Sequence, residues 1–445
     1  MSHSPAIGQE LLNFATELYP ICRSITGNGL RETLRLIQRR IPLRIHEVNS
    51  GTKVFDWEVP LEWNIEGALV LDPDGRTVVD FAAHNLHIVS YSEPVDARLD
   101  LAALKSRLHV HASNPDWIPY RTSYYVRNWG FCLPRRVLEA LPRGRYRVTV
   151  SSRLEAGSLS YGEFLLPGKT REEMLLFTHA CHPSLANDNT SGLAVATRLA
   201  RWLAESPRRF TYRIVFAPGT IGSLCWLMRN EKNLGRIRHG LVLGLLGDAA
   251  PLTYKESRRG TAEIDAIARH VLREREPDSR VIPFEPYGYD ERQLCSPGFD
   301  LPVGRLTRSV NDGYPQYHSS ADDLGLLRAD ALARSLEACQ QIIMTVEGNR
   351  RFINLNPKGE PRLGKRDLYG STGGQSPATR ERAMLWVLSQ SDGTQSLLDI
   401  AEKSQLGFAV IQRAAAELEN ARLLRAKSGG AAVKRAGSRR RASRR

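Results

Sequence analysis

Residues 174–192 read MLLFTHACHPSLANDNTSG, and this stretch decides the fold. An apolar run of strand length stops on His179. A polar loop follows, carrying Cys181, His182, Asn187, Asp188 and Asn189. Then SGLAVATRLARWLAE (191–205) repeats its apolar residues at helical spacing. Strand, polar loop and helix make a βα unit. Its loop lies beyond the carboxyl end of the strand, where sites in parallel sheets collect.

The same grammar recurs on the C-terminal side. YRIVFAP (212–218), GLVLGLLGD (240–248) and the weaker LPVGRLT (301–307) are short apolar runs ending in polar residues or glycine. GSLCWLMRNE (222–231) and AEIDAIARHVLRE (262–274) are helical stretches between them. This alternation predicts an α/β domain, a mostly parallel sheet with helices on both faces. A helix over 325–347 closes it. On the N-terminal side, residues 8–40 read as two helices interrupted at Gly27 and Gly29. Between lies a stretch rich in proline, tryptophan and β-branched residues, with alternating runs such as ALVLD (68–72) and YRVTV (146–150). The expected organisation is therefore an α/β domain from 1–50 and 155–350, with a separate β-rich insert at 51–154. A Gly/Pro/Ser-rich linker at 356–377 follows, then three helices at 378–427 that read as a winged helix-turn-helix, and a disordered basic tail at 428–445.

Composition excludes several classes. Of 445 residues, 42% are hydrophobic and 25% charged, a globular balance rather than that of a disordered or fibrous chain. No run of about 18 apolar residues suggests a membrane span, and the N-terminus has no secretory pattern. Six cysteines scattered singly read as reduced thiols of a cytoplasmic protein. The net charge of +14 is mostly local: eight basic residues and no acidic one follow Ala426, which leaves +6 on the preceding chain. Nucleic-acid affinity is thus expected to be non-specific and to come from the tail. The helix Phe408–Leu424 has only Arg413 and Arg422 against Glu417 and Glu419, too few cations for phosphate contacts to dominate. It reads as a docking or dimerisation element, and in the second case the chain would be a homo-oligomer.

Four residues could converge at one sheet edge: His179, Asp188, Asp248 at the end of GLVLGLL, and His318 before the last long helix. Histidine and aspartate suit zinc, and Asp322 could orient the His318 imidazole. Read singly, the histidines could be ordinary strand-end residues and Asp188 a helix cap.

In order, the strand-end histidine, the A-N-D-N-x-S-G loop, the strand-end aspartate and the late H-S-x-x-D-D resemble the co-catalytic zinc aminopeptidases. More closely, YPICRSITGNGLRETL (19–34), GTKVFDWEVPLEWNI (51–65), IPYRTSYYVRNWGFC (118–132), HACHPSLANDNTSG (179–192), YGYDERQLCSPG (287–298) and YPQYHSSADDL (314–324) are similar to the bacterial polysaccharide biosynthesis proteins with an aminopeptidase-like domain. The resemblance covers roughly residues 15–430. It implies the aminopeptidase-like (phosphorylase/hydrolase-type) fold and a zinc-dependent hydrolase of amide bonds. His179, Asp188 and Asp248 would hold one zinc, and Asp188 with His318 a second. Two alternatives stay open: a metal-binding relative that binds or modifies a biosynthetic intermediate, and a DNA-binding regulator whose hydrolase-like domain senses a ligand.

The chain departs from the aminopeptidase pattern in two places. Cys181, followed by His182, stands where an aspartate orients the first histidine. The usual Glu-Glu pair is missing from Phe216–Ser223, so one zinc is the simpler expectation. The base must then come from elsewhere: Glu291 first, His182 second. Salt bridging is the competing role for Asp290 and Glu291. For a small-molecule or peptide-like substrate, Tyr124, Tyr125 and Trp129 are the candidate cleft wall and Arg258 the candidate anion contact.

Overall fold

The computed structural model describes residues 5–311, 313–366, 368 and 379–427. The expected disordered tail at 428–445 and most of the expected linker's second half lie outside them. The chain divides into two compact units at Ile343/Met344.

The first unit is built on an eight-stranded sheet. Its strands are β1 (Arg44–Asn49), β2 (Ser158–Leu166), β3 (Glu173–His179), β4 (Thr211–Ala217), β5 (Ile237–Leu243), β6 (Thr253–Lys255), β7 (Arg280–Ile282) and β8 (Val303–Thr307). They lie in the order β1-β2-β4-β3-β5-β8-β6-β7. The four central strands β4-β3-β5-β8 run parallel, while β1/β2, β2/β4 and β6/β8 pair antiparallel. Every residue of β3 is buried, as a central strand covered on both faces requires. Helices α1 (Pro5–Leu18), α2 (Asn28–Gln38), α3 (Gly192–Glu205), α4 (Ile221–Asn230), α5 (Glu263–Arg275), the short α6 (Glu291–Leu294) and α7 (Ala329–Gly348) connect and cover the strands. The break between α1 and α2 is steric as well as conformational. Gly27 has φ 90°, and a Cβ there would lie 2.1 Å from the Trp63 carbonyl oxygen.

The insert carries its own four-stranded antiparallel sheet, with strands Thr77–Asp80, Glu62–Leu71, Arg145–Glu155 and Val95–Asp100 in that order. Its core is not separate, contrary to the sequence expectation. Trp63, Tyr91, Phe131 and Tyr146 of the insert belong to one buried cluster with Leu175, Phe177, Val215 and Trp226. The last insert strand also ends at Glu155, with only two residues between it and the start of β2 at Ser158. No helix of the described residues is long and apolar enough to cross a membrane.

The second unit has helices α8 (Thr379–Gln390), α9 (Leu397–Ser404) and α10 (Phe408–Asn420) with a three-stranded sheet. The sheet's central strand, Arg351–Asn354, pairs with Asp392–Ser396 and Leu424–Ala426. The expected start at residue 378 omitted this strand because the linker separates it in sequence from its partners. Ser396 and Asp399 form a reciprocal capping box at the start of α9. On α10, Glu417 and Glu419 pair with Arg380 and Arg350.

Candidate metal centre

The site is built from the ends of β3, β5 and β8 and the loops beyond them. β3 delivers His179 as its last residue. The next loop is pinned by two asparagines. Asn187 donates to Asp248 Oδ2 (2.6 Å) and accepts from the Gly247 amide (2.9 Å). Asn189 donates to Thr178 Oγ1 (2.9 Å) and accepts from the Leu245 amide (3.1 Å). Both side chains thus tie the loop to its neighbouring strand ends, and Asp188 between them is left to face the histidines. Asp322 anchors the same loop, accepting from the Asn187 and Asp188 amides at 2.6 and 3.1 Å.

Three imidazoles meet one carboxylate. His179 Nε2 lies 2.6 Å from Asp188 Oδ1, and His182 Nδ1 and His318 Nε2 each lie 3.1 Å from Asp188 Oδ2. The donor atoms of His179, His182 and Asp188 all fall within 4.8 Å of one another, as in a ligand set. Burial pushes the His179 imidazole down to about 4 despite the adjacent carboxylate. Burial alone would raise the Asp188 carboxyl, but His182 and His179 hold it well below the ordinary range. A neutral imidazole and an ionised carboxylate are the forms that bind metal. Asp188 is wholly buried, whereas the His318 side chain is 33% exposed, so His318 marks the open side.

Tyrosines form the walls. Tyr289 stacks on His179 with ring centroids 3.7 Å apart, and its hydroxyl pairs with His182 Nε2 (3.0 Å) and Cys181 Sγ (3.4 Å). That bond fixes the His182 ring with Nδ1 toward Asp188, the kind of outer contact that orients metal ligands. Burial first, then Cys181, keeps the Tyr289 phenol protonated. Tyr120 meets both His182 and His318 edge-on at 5.2 Å, and Tyr317 stacks on His318 at 3.9 Å. These three tyrosines went unselected as site residues in the sequence. Tyr120 gets there through a bridge between Pro119 and Ser319, a contact with no local signal.

Several sequence expectations need correction. Asp248 does not join the donor group: its Oδ2 accepts from Asn187, and its Oδ1 from the Ala250 amide (2.8 Å). The residue just after β5 is Gly244, where a Cβ would come 3.4 Å from His179 Cε1. Glu291 is no base. It is buried between Lys255 (2.5 Å) and Arg305 (3.8 Å), whose charges outweigh burial and keep its carboxyl low. His182 faces Asp188 as a ligand candidate, with its other nitrogen taken by Tyr289. Asp322 positions the loop backbone and accepts from Tyr314, rather than from His318. Arg258 is paired with Asp300 (2.7 Å). Tyr124 stands behind Tyr120, hydroxyl to hydroxyl at 2.8 Å. Tyr125 lies edge-on to Trp57 with its hydroxyl on the Glu58 carbonyl, and Trp129 lies under Arg107. Neither has a contact with the histidines.

The gap left by the missing glutamates is filled. A Cβ on Gly219 would lie 2.4 Å from the Tyr289 ring. Cys181 packs beside it, accepts from the Gly219 amide (3.3 Å), and has its thiol pushed up to about 12 by burial. It is a packed thiol, not a nucleophile.

Residues 12–349 match the model of DUF4910, a domain of unknown function, and 350–426 match a winged helix-turn-helix. The chain belongs to the DUF4910 family. A Clostridium acetobutylicum relative of this DUF4910 chain is 49% identical over 426 residues, covering 96% of this chain and 98% of its own. Its name describes a polysaccharide biosynthesis candidate with an aminopeptidase-like domain. The crystal structure of a peptidase candidate from the same organism has a TM-score of 0.90 at 48% identity, covering 95% and 97% of the two chains. A zinc aminopeptidase from Bacillus subtilis has a TM-score of 0.57 at 13% identity, covering 77% and 95%. That distant likeness establishes an aminopeptidase-like fold for the DUF4910 region.

Proposed function

We propose that the protein is a zinc-dependent hydrolase of an amide bond in an intermediate of surface-polysaccharide or natural-product assembly, working in the cytoplasm with one metal. The convergence of His179, His182 and His318 on the buried Asp188 carries this reading. Imidazole nitrogen and carboxylate oxygen are donor types zinc takes, and a catalytic site uses three protein ligands and leaves one position open. His179, His182 and Asp188 would hold it, with the partly exposed His318 on the open side. When bound, zinc supplies a Lewis acid that polarises a carbonyl and makes water a better nucleophile. The remaining work falls to the chain. Asp188 brings the compensating charge, and Tyr289 holds the His182 ring. Tyr120 and Tyr317 flank His318 on the open side, where an amide group can enter and water is partly excluded. All six cysteines are free, which suits a reducing compartment.

One observation favours a second reading, a relative that binds the intermediate without cutting peptides. Asp322, Asp248 and Glu291 are all committed elsewhere, and Asp290, whose Oδ1 accepts from the Thr220 amide and whose Oδ2 is buried without a partner, lies outside the donor group. We therefore expect simple aminoacyl anilides to be cleaved slowly or not at all, since a positioned base typically contributes about 10²–10⁴-fold. The test is to assay the zinc-loaded and chelated full chain on aminoacyl anilides and on amino sugars acylated at nitrogen. Zinc-dependent release from the acylated sugars supports the hydrolase. Failure on every amide despite bound zinc favours the binding reading.

A further inference from the structure

A second cluster of charged groups lies behind the metal centre. Lys255 on β6 and Arg305 on β8 are directly opposed in the antiparallel register, where like charges repel. They are 6% and 4% exposed. Glu291, fully buried, touches both but cancels only one of the two charges. Arg305 meets it through Nη1 alone. Its Nε and Nη2 are buried and have no hydrogen-bond partner, and neither does the Asn311 side-chain oxygen. A cavity of about 130 Å³ opens at this place, lined by Lys255, Arg305, Thr307, Gly288, Val310 and Asn311 among others, with exposed Glu285 also on its wall. An uncompensated buried cation with idle donors is costly unless a counter-charge completes it.

From the geometry we infer that this cavity is a subsite for a small oxyanion, a carboxylate or phosphate carried by the substrate, with the Arg305 guanidinium as its main contact. The volume is well below that of a pocket for a whole ligand, and so fits one head group of a larger molecule. The cavity adjoins the metal centre on two sides. Gly288 in its wall precedes Tyr289, which covers His179. Asn311 donates to the Tyr317 hydroxyl (3.3 Å), and Tyr317 stacks on His318. The assignment deepens the hydrolase reading and rests on it for the statement that the anion belongs to the substrate.

The test uses the full chain and calorimetric titration with inorganic phosphate and, separately, acetate, each against chloride at equal ionic strength. Two variants accompany the wild type. Arg305→Lys keeps the charge but removes the planar fork, and Val310→Trp fills the cavity from its exposed rim. Saturable binding of at least one anion, weakened about tenfold or more in both variants, is expected. The tighter anion identifies the head group. Absence of binding above chloride, or binding unchanged in both variants, would overturn the subsite. Zinc content measured on the same samples separates the two claims. Zinc without anion binding defeats only the subsite, whereas anion binding by a chain that takes up no zinc defeats the hydrolase reading.

Discussion

Gly219 shows how one residue redirects a site. With hydrogen as its side chain, the Tyr289 ring can lie against the backbone and stack on His179. Restoring a glutamate there would therefore not restore a peptidase. Gly219→Glu is expected to destabilise the fold by about 1–3 kcal/mol through overpacking, seen as a lower urea midpoint, with no gain on aminoacyl anilides. His239 supports a different residue-scale prediction, away from the metal centre. Burial first, then Arg209 and Arg238, pushes its imidazole down to about 3, against about 6.5 in an unfolded chain. Between those values the unfolded state binds the extra proton. The folded state is thus favoured above pH 6.5 and loses ground as pH falls through the window. Urea midpoints at pH 7 and pH 5 should converge in His239→Leu relative to wild type, by up to about 2 kcal/mol. A wild-type midpoint equally insensitive to pH would contradict this.

Among the elements, the loop after β3 was the most legible in the sequence and the end of β5 the least. Strand, histidine, paired asparagines and helix follow one another locally, so 174–205 could be read without tertiary information. The run GLVLGLLGD reads as one strand ending at Asp248, yet β5 stops at Leu243. Leu245 and Leu246 are buried loop residues, and Leu245 has φ 52°. Hydrophobicity reports burial, not strand geometry, so the strand end was misplaced and Asp248 with it. For Glu291 the sequence left two roles open, base and ion-pair partner. Its partners Lys255 and Arg305 lie on strands 36 and 14 residues away, and only the register brings them together. The loop's own stability is testable. Asn187→Ala leaves the buried Asp248 carboxylate and the Gly247 amide each short of a partner. Denaturation should register a loss of about 1–3 kcal/mol, and zinc affinity should fall with it. An unchanged midpoint would mean that the asparagine does not anchor the loop.

For the whole molecule, fold class and the order of its parts could be read from alternating strands and helices, whereas the shared core of insert and sheet could not. That core depends on which faces meet in space. Charge is the other whole-molecule property. Eight of the net +14 charges follow Ala426, while the acidic residues of α10 are paired with arginines of its own unit. Deleting residues 428–445 should remove most retention on DNA and flatten its salt dependence. Sequence-specific binding that survives the deletion would promote the winged unit to a DNA reader.

The central claim is a single metal held by His179, His182 and Asp188, with His318 on the open side and Asp248 outside the shell. Elemental analysis of the purified chain after zinc loading and desalting, in wild type, His182→Ala and Asp248→Asn, addresses it most directly. The account predicts about one zinc per wild-type chain, loss in His182→Ala, and retention in Asp248→Asn. Zinc kept by His182→Ala and lost from Asp248→Asn, with both variants folded, would contradict it.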